Sequence, residues 1–104
     1  MPTGNIRWQS LIQSAPDETA VLSLVRRYLG TLSDGEVSRL PASCRPTLPS
    51  TREEIASWAV TVTRTEMGFR GDAETAGLLQ QLAVVFAEAS QRFAQLAQQR
   101  RDLD

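Results

Sequence analysis

The feature that most constrains the fold of this chain is a long apolar pattern that runs from Ala73 to about Arg101. Apolar residues recur there in steps of three and four, which is the spacing of one helix face. They are Leu79, Leu82, Phe86, Ala89, Phe93 and Leu96. Neighbouring apolar residues widen this row beyond the narrow seam of a two-stranded coiled coil. The pattern therefore predicts one long C-terminal helix that packs into a small bundle.

Shorter helices are predicted upstream from pairs of a serine and an acidic residue. A serine at the N-cap accepts a backbone N–H bond from the first turn, and an acid three residues later bonds back to the serine's own N–H. Such pairs occur at Ser14–Asp17, Ser33–Glu36 and Ser50–Glu53, and Asp72 precedes the long apolar pattern. Pro16 is expected in the first turn after Ser14, where its missing N–H costs nothing.

The segment between Thr51 and Met67 carries signals for both a helix and a strand. Its apolar residues follow a helical spacing, but residues 60–63 form a β-branched run, Val-Thr-Val-Thr, that also suits a strand. We predict a helix across residues 58–64, because the capping pair is strong and no second segment offers a partner strand. Gly68 is then expected to end this helix in the left-handed conformation.

Together these signals predict an all-α fold, a bundle of four to five helices that forms a single domain over residues 1–104. Residues 41–49 contain three prolines and are predicted to form a stiff, extended connector. The apolar row reaches a charged position at Arg100, so we expect the row to end near Leu96 and residues 98–104 to fray.

The composition excludes several kinds of chemistry. The chain has 11 arginines, one cysteine, and neither lysine nor histidine. It therefore lacks an imidazole base and a side-chain Schiff base, and Cys44 alone cannot form an internal disulfide or a multi-thiolate zinc site. The carboxylates of Asp17, Glu36, Glu53 and Asp72 are explained by helix starts. We predict a non-enzymatic protein with no catalytic residue, no metal and no cofactor.

Membrane and export signals are also missing from the sequence. The longest apolar run covers residues 82–87, far short of the roughly 20 residues that span a bilayer. Residues 1–13 lack the apolar core of a signal peptide. We therefore expect no membrane association and a cytoplasmic location in which Cys44 stays reduced.

The length of the last helix suggests a function. About 29 helical residues extend about 43 Å, whereas a compact domain of this size is roughly 33 Å across. The domain must be elongated, or a partner must cover the helix end, although residues 6–12 offer a short apolar segment that could cover part of it. We predict a protein–protein interaction module, as a homo-oligomer or a small adaptor, with Phe86, Phe93 and Leu96 at the interface.

The alternative prediction is a small DNA-binding transcriptional regulator. Residues 51–56 resemble the opening of a helix-turn-helix, although the motif is degenerate around 51–70 because no glycine stands where its turn belongs. Arg52, Arg64 and Arg70 would then contact nucleic acid. The net charge of −1 argues against this alternative, because nucleic-acid-binding domains usually carry a strongly basic surface.

Overall fold

The computed structural model describes residues 4–45 and 47–103. The regular structure of these residues is helical throughout, which confirms the all-α class. The α-helices are α1 (Gly4–Gln13), α2 (Glu18–Gly30), α3 (Asp34–Arg39), α4 (Arg52–Gly68) and α5 (Ala73–Leu103), and a 3₁₀ turn spans Ala42–Cys44. Among the described residues, no helix is both long and apolar enough to cross a membrane.

Two helix starts follow the sequence prediction. Ser33 caps α3 in a complete capping box, in which the Glu36 N–H donates to Ser33 Oγ at 3.1 Å and the Ser33 N–H donates to Glu36 Oε1 at 2.9 Å. At the start of α5, the Thr75 N–H donates to Asp72 Oδ2 at 3.0 Å. Each carboxylate also suits the positive end of its helix.

Two other starts were predicted at the wrong residue. Asp17 caps α2, because its Oδ1 accepts the Ala20 N–H at 2.8 Å, and Pro16 lies before the helix. Ser14 still belongs to the end of α1, where its N–H bonds to the Ser10 carbonyl, and it lies four residues before Glu18, the first residue of α2. Thr51 caps α4 by accepting the Glu54 N–H at 3.2 Å. The cap therefore lies one residue later than Ser50.

Residues 58–64 are helical within α4, as predicted. The expected left-handed stop at Gly68 is wrong, because Gly68 is the last helical residue and does not have a positive φ. The helix ends instead at Phe69, whose backbone is extended and whose N–H bonds to the Glu66 carbonyl at 3.3 Å. The half-buried Phe69 ring packs against the core, so the extended conformation keeps this ring out of water.

The segment after α3 is not extended throughout, because the 3₁₀ turn brings Cys44 into the core beside α4. The Cys44 Sγ lies 4.0 Å from the Thr61 carbonyl oxygen. Arg45 holds the turn to the end of α3, since its Nε donates to the Leu40 carbonyl and its Nη2 to the Ser38 carbonyl, both at 3.1 Å. Pro46, in the predicted connector, lies outside the described residues.

Helix α5 is the centre of the fold, and the other four α-helices pack against it. Its 31 residues extend about 46 Å, nearly the full length of a molecule that measures 48 × 26 × 20 Å. The domain is therefore elongated along α5. The helix continues past Leu96 to Leu103, and residue 104 of the predicted frayed tail lies outside the described residues.

Helix α1 covers part of α5, as expected for the apolar N-terminal segment. Ile12 is buried, and the Trp8 ring meets the Tyr28 ring of α2 edge to face, with centroids 5.6 Å apart. The Gln13 side-chain amide donates to Glu88 Oε1 of α5 at 2.8 Å. These contacts join the beginning of the chain to its last helix. The side chain of residue 6 lies outside the described part.

Candidate interaction surface

The three predicted interface residues are already used inside the chain. Phe86 is fully buried and its ring stacks on Trp58, with centroids 6.5 Å apart. Phe93 is 5% exposed and Leu96 is 8% exposed. Packing within the chain therefore explains the apolar row on α5 without a partner. That a partner contacts these three residues stays a prediction, and the surface that a partner can readily reach lies beside them.

This accessible surface is the shallow groove between α4 and α5, which we call the α4–α5 face. Its lining is mostly small or apolar, with charged residues at the two ends of its α4 side. It comprises Arg52, Glu53, Ala56, Ala59, Val60, Thr63 and Arg64 of α4 with Ala87, Ser90, Gln91, Phe93, Ala94 and Ala97 of α5. The two helices run antiparallel, because the start of α4, residues 52–56, lines the groove with residues 90–97 of α5, whereas residues 59–64 line it with residues 87–91. Because most of these side chains are small, they leave space between the two helices, and the groove can accept the side-chain ridge of another helix.

Val60 is the large apolar side chain on this face that water reaches most. It is 54% exposed at a position flanked by Ala56 and Thr63. A single exposed apolar residue is ordinary on a protein surface. Here it stands within a groove whose other residues are mostly small, and Met67, one heptad along α4, is 79% exposed. The face therefore offers apolar contact area that the chain itself does not cover.

A second pattern follows the outer edge of α4. The residues Glu53, Ser57, Val60 and Arg64 are exposed and are spaced by four, three and four positions, which places them on one side of the helix. We call them the α4 row. Its ends carry opposite charges, and its centre is small or apolar. The sequence contains this spacing, but the row of Ile55, Trp58 and Val62, which faces the core, is the more apolar row of the helix.

The charges at the two ends of the α4 row differ in their surroundings. At one end, Arg64 forms no ion pair among the described residues. At the other end, Glu53 contacts its neighbour Arg52 at 3.5 Å, and Arg52 also contacts Glu18 of α2 at 3.1 Å. Exposed pairs of this kind contribute roughly 0–1 kcal/mol. Glu53 and Arg64 can therefore both be engaged by a partner at little cost to the fold.

The structure does not form the helix-turn-helix predicted around residues 51–70. Helix α4 is one uninterrupted helix from Arg52 to Gly68, because no residue between its ends breaks the helical hydrogen bonding. Arg52 and Arg64 are twelve positions apart, which turns their side chains about a third of a turn from each other. Arg70 lies beyond the helix, in the connection to α5. The three arginines therefore do not share one helix face.

The remaining polar groups are arranged for structure. Among the described residues, no three cysteine or carboxylate side chains are grouped so that they could hold a metal. Asp72 accepts the Thr75 N–H and hydroxyl, and these bonds lower the pKa of its carboxyl group. The Tyr28 hydroxyl is buried without a hydrogen-bond partner in the described part of the chain. Burial, and to a lesser degree the nearby charge of Glu36, raises its pKa.

Cys44 should be protected from thiol reagents in the folded protein. Its side chain is fully buried, and reaction requires an accessible thiolate, so we expect native Cys44 to react at least ~100-fold more slowly than in denaturant. The measurement is the rate of colour release from a disulfide reagent with and without guanidinium. A Ser43→Cys, Cys44→Ser variant is the matched control, because exposed position 43 is in the same turn. Equal rates for wild type and control would show that the turn is open.

The chain matches no protein-family model, no curated protein and no solved structure. Its function must therefore be argued from the α4–α5 face and the α4 row themselves.

Proposed function

We propose that this chain is a non-enzymatic protein–protein interaction module, a small helical bundle that binds a helix of its partner along the α4–α5 face. The observation that carries this proposal is Val60, an apolar side chain 54% exposed in a groove lined mainly by small residues. An amphipathic helix that docks into such a groove buries apolar side chains spaced by three and four positions.

The distribution of charge along α4 supports the same proposal. Interfaces commonly have an apolar centre from which charged residues are depleted, surrounded by a polar rim. Val60 and Ala56 lie in the middle of α4, whereas Glu53 and Arg64 lie on either side of them. A partner helix along this face would therefore cover the apolar centre and leave the two charges at the rim, where they select orientation more than they add affinity.

Site-specific photo-crosslinking from the face tests this function. We expect a photoreactive benzoylphenylalanine in place of Val60 to form covalent adducts with a protein partner in cells that normally make this chain. The matched control carries the same group in place of Arg26, an exposed residue of α2 outside the α4–α5 face. Adduct masses would be read by mass spectrometry. Adducts from position 60 that do not exceed those from position 26 would overturn the proposed function.

A further inference from the structure

We infer that the partner of the α4–α5 face is a second copy of this chain, docked with the two α4 helices antiparallel about a two-fold axis that passes between Ser57 and Val60. This inference rests on the proposed function and specifies its partner. Most soluble homo-oligomers are symmetric, and a two-fold interface requires a surface that is complementary to itself. The α4 row meets this requirement.

The self-complementarity follows from the order of the residues in the row. Glu53 and Arg64 are eleven positions apart, which is about three helical turns and about 17 Å. In an antiparallel pair with the axis midway between them, Glu53 of each copy lies opposite Arg64 of the other. The same symmetry places Ser57 of one copy opposite Val60 of the other. A parallel pair would instead place Glu53 against Glu53 and Arg64 against Arg64, which is repulsive.

The charges that this arrangement needs are available. Arg64 has no ion-pair partner in the described part of the chain, and the side chain of Glu53 is 75% exposed with only its sequence neighbour Arg52 near it, at 3.5 Å. Forming the two pairs between copies therefore breaks no tertiary ion pair. The net charge of −1 also gives two copies little overall repulsion, and a net charge near zero favours association.

The shape of the face suits the same arrangement. Val60 of the second copy would lie beside Ser57, next to Ala56 and near Ala94 of α5. These are small side chains, so they allow the two α4 backbones to approach closely. The Val60 side chains, which are the most exposed large apolar groups of the α4–α5 face, then become the centre of the interface. Such a position at the centre is where interface residues usually contribute most to affinity.

A charge exchange tests the arrangement by sedimentation equilibrium. We expect the wild type to dimerise, and Arg64→Glu or Glu53→Arg each to raise the dissociation constant at least ~10-fold, since each places like charges opposite one another at both ends. An equimolar mixture of the two variants should form a heterodimer within ~3-fold of wild-type affinity, because both ends are again paired oppositely. Circular dichroism would show that each variant is folded.

Two control variants carry the same charge changes elsewhere. Arg26→Glu on α2 matches Arg64→Glu, and Asp34→Arg matches Glu53→Arg because Asp34 is also an exposed acid in the first turn of a helix. Both controls should dimerise like the wild type. Because the end charges attract in both cases, raising the salt concentration should weaken the wild-type dimer and the heterodimer of the mixture alike.

The outcomes separate this inference from the proposed function. A wild type that remains monomeric at about 1 mM would overturn the second copy as partner, while adducts from position 60 to another protein would still support the function. Dimers that the single charge exchanges leave unchanged, or that the mixture fails to restore, would overturn the antiparallel arrangement. Adducts from position 60 that join two copies of the chain would support both the function and the partner.

Discussion

Phe86→Ala is expected to lower the free energy of unfolding by about 3–5 kcal/mol, the cost of emptying a buried aromatic site. Phe86 is fully buried in the middle of α5, and its ring stacks on Trp58 of α4. Alanine would remove this contact and leave a cavity between the two longest helices. The loss would be measured by urea unfolding followed by circular dichroism, with the slope checked for a change in two-state behaviour.

Ala87→Ser is the matched control for Phe86→Ala, because Ala87 is the next residue of the same helix and is exposed. It should change the free energy of unfolding by less than about 0.5 kcal/mol. If Phe86→Ala cost no more than this control, Phe86 would not belong to the core.

The burial of Phe93 likewise limits what a Phe93→Asp variant can show about the predicted interface. A carboxylate at this buried position should unfold the domain, so that variant cannot report on a partner contact, and the exposed α4 row must be tested instead.

Arg92→Ala is expected to lower the free energy of unfolding by about 1.5–3 kcal/mol, the usual range for hydrogen bonds from a charged group. The Arg92 Nε and Nη2 both donate to the Ala15 carbonyl, at 3.0 and 2.8 Å. The guanidinium therefore joins the turn between α1 and α2 to the side of α5. Thermal and urea unfolding would measure the loss of this link.

Arg92→Lys separates the geometry of the side chain from its charge. A lysine keeps the positive charge but lacks the planar pair of N–H groups, so it can form about one hydrogen bond in place of two. We therefore expect Arg92→Lys to restore less than half of the unfolding free energy that Arg92→Ala loses. Arg26→Ala is the control for removal of an exposed arginine and should be nearly neutral. Full recovery by lysine would show that charge alone holds the turn.

The helices were predictable because their signals are local. The capping box of Ser33 and Glu36 and the Asp72 cap each lie within one turn of the residues they bind. The run at residues 60–63 became helical despite its β-branched side chains because a core stripe on the same helix outweighs a weak preference. Two caps were misplaced because a second residue able to cap stands close by: Thr51 directly follows Ser50, and Asp17 lies three residues after Ser14.

The candidate surface could not be predicted because it depends on which residues the rest of the chain covers. An apolar row on a helix has the same spacing whether it meets its own chain or a partner, so Phe86, Phe93 and Leu96 could not be assigned to either. The bond from Arg92 to Ala15 joins residues 77 positions apart. No short-range pattern indicates such a pair. The spacing of the α4 row is present in the sequence, but its exposure depends on which side of α4 packs against the core.

The position of α5 also bears on how the chain is made. Helix α1 and the turn that follows it are joined to α5, by Gln13 with Glu88 and by Ala15 with Arg92. During translation α1 leaves the ribosome before α5 has been synthesised. At about 5–20 residues per second, this interval lasts several seconds. During that time α1 can pack only against α2, as Trp8 does against Tyr28, and the side of α1 that faces α5 is uncovered. Folding of this domain is therefore expected to be completed only after synthesis of α5, and nascent chains stalled before Arg92 should remain sensitive to protease.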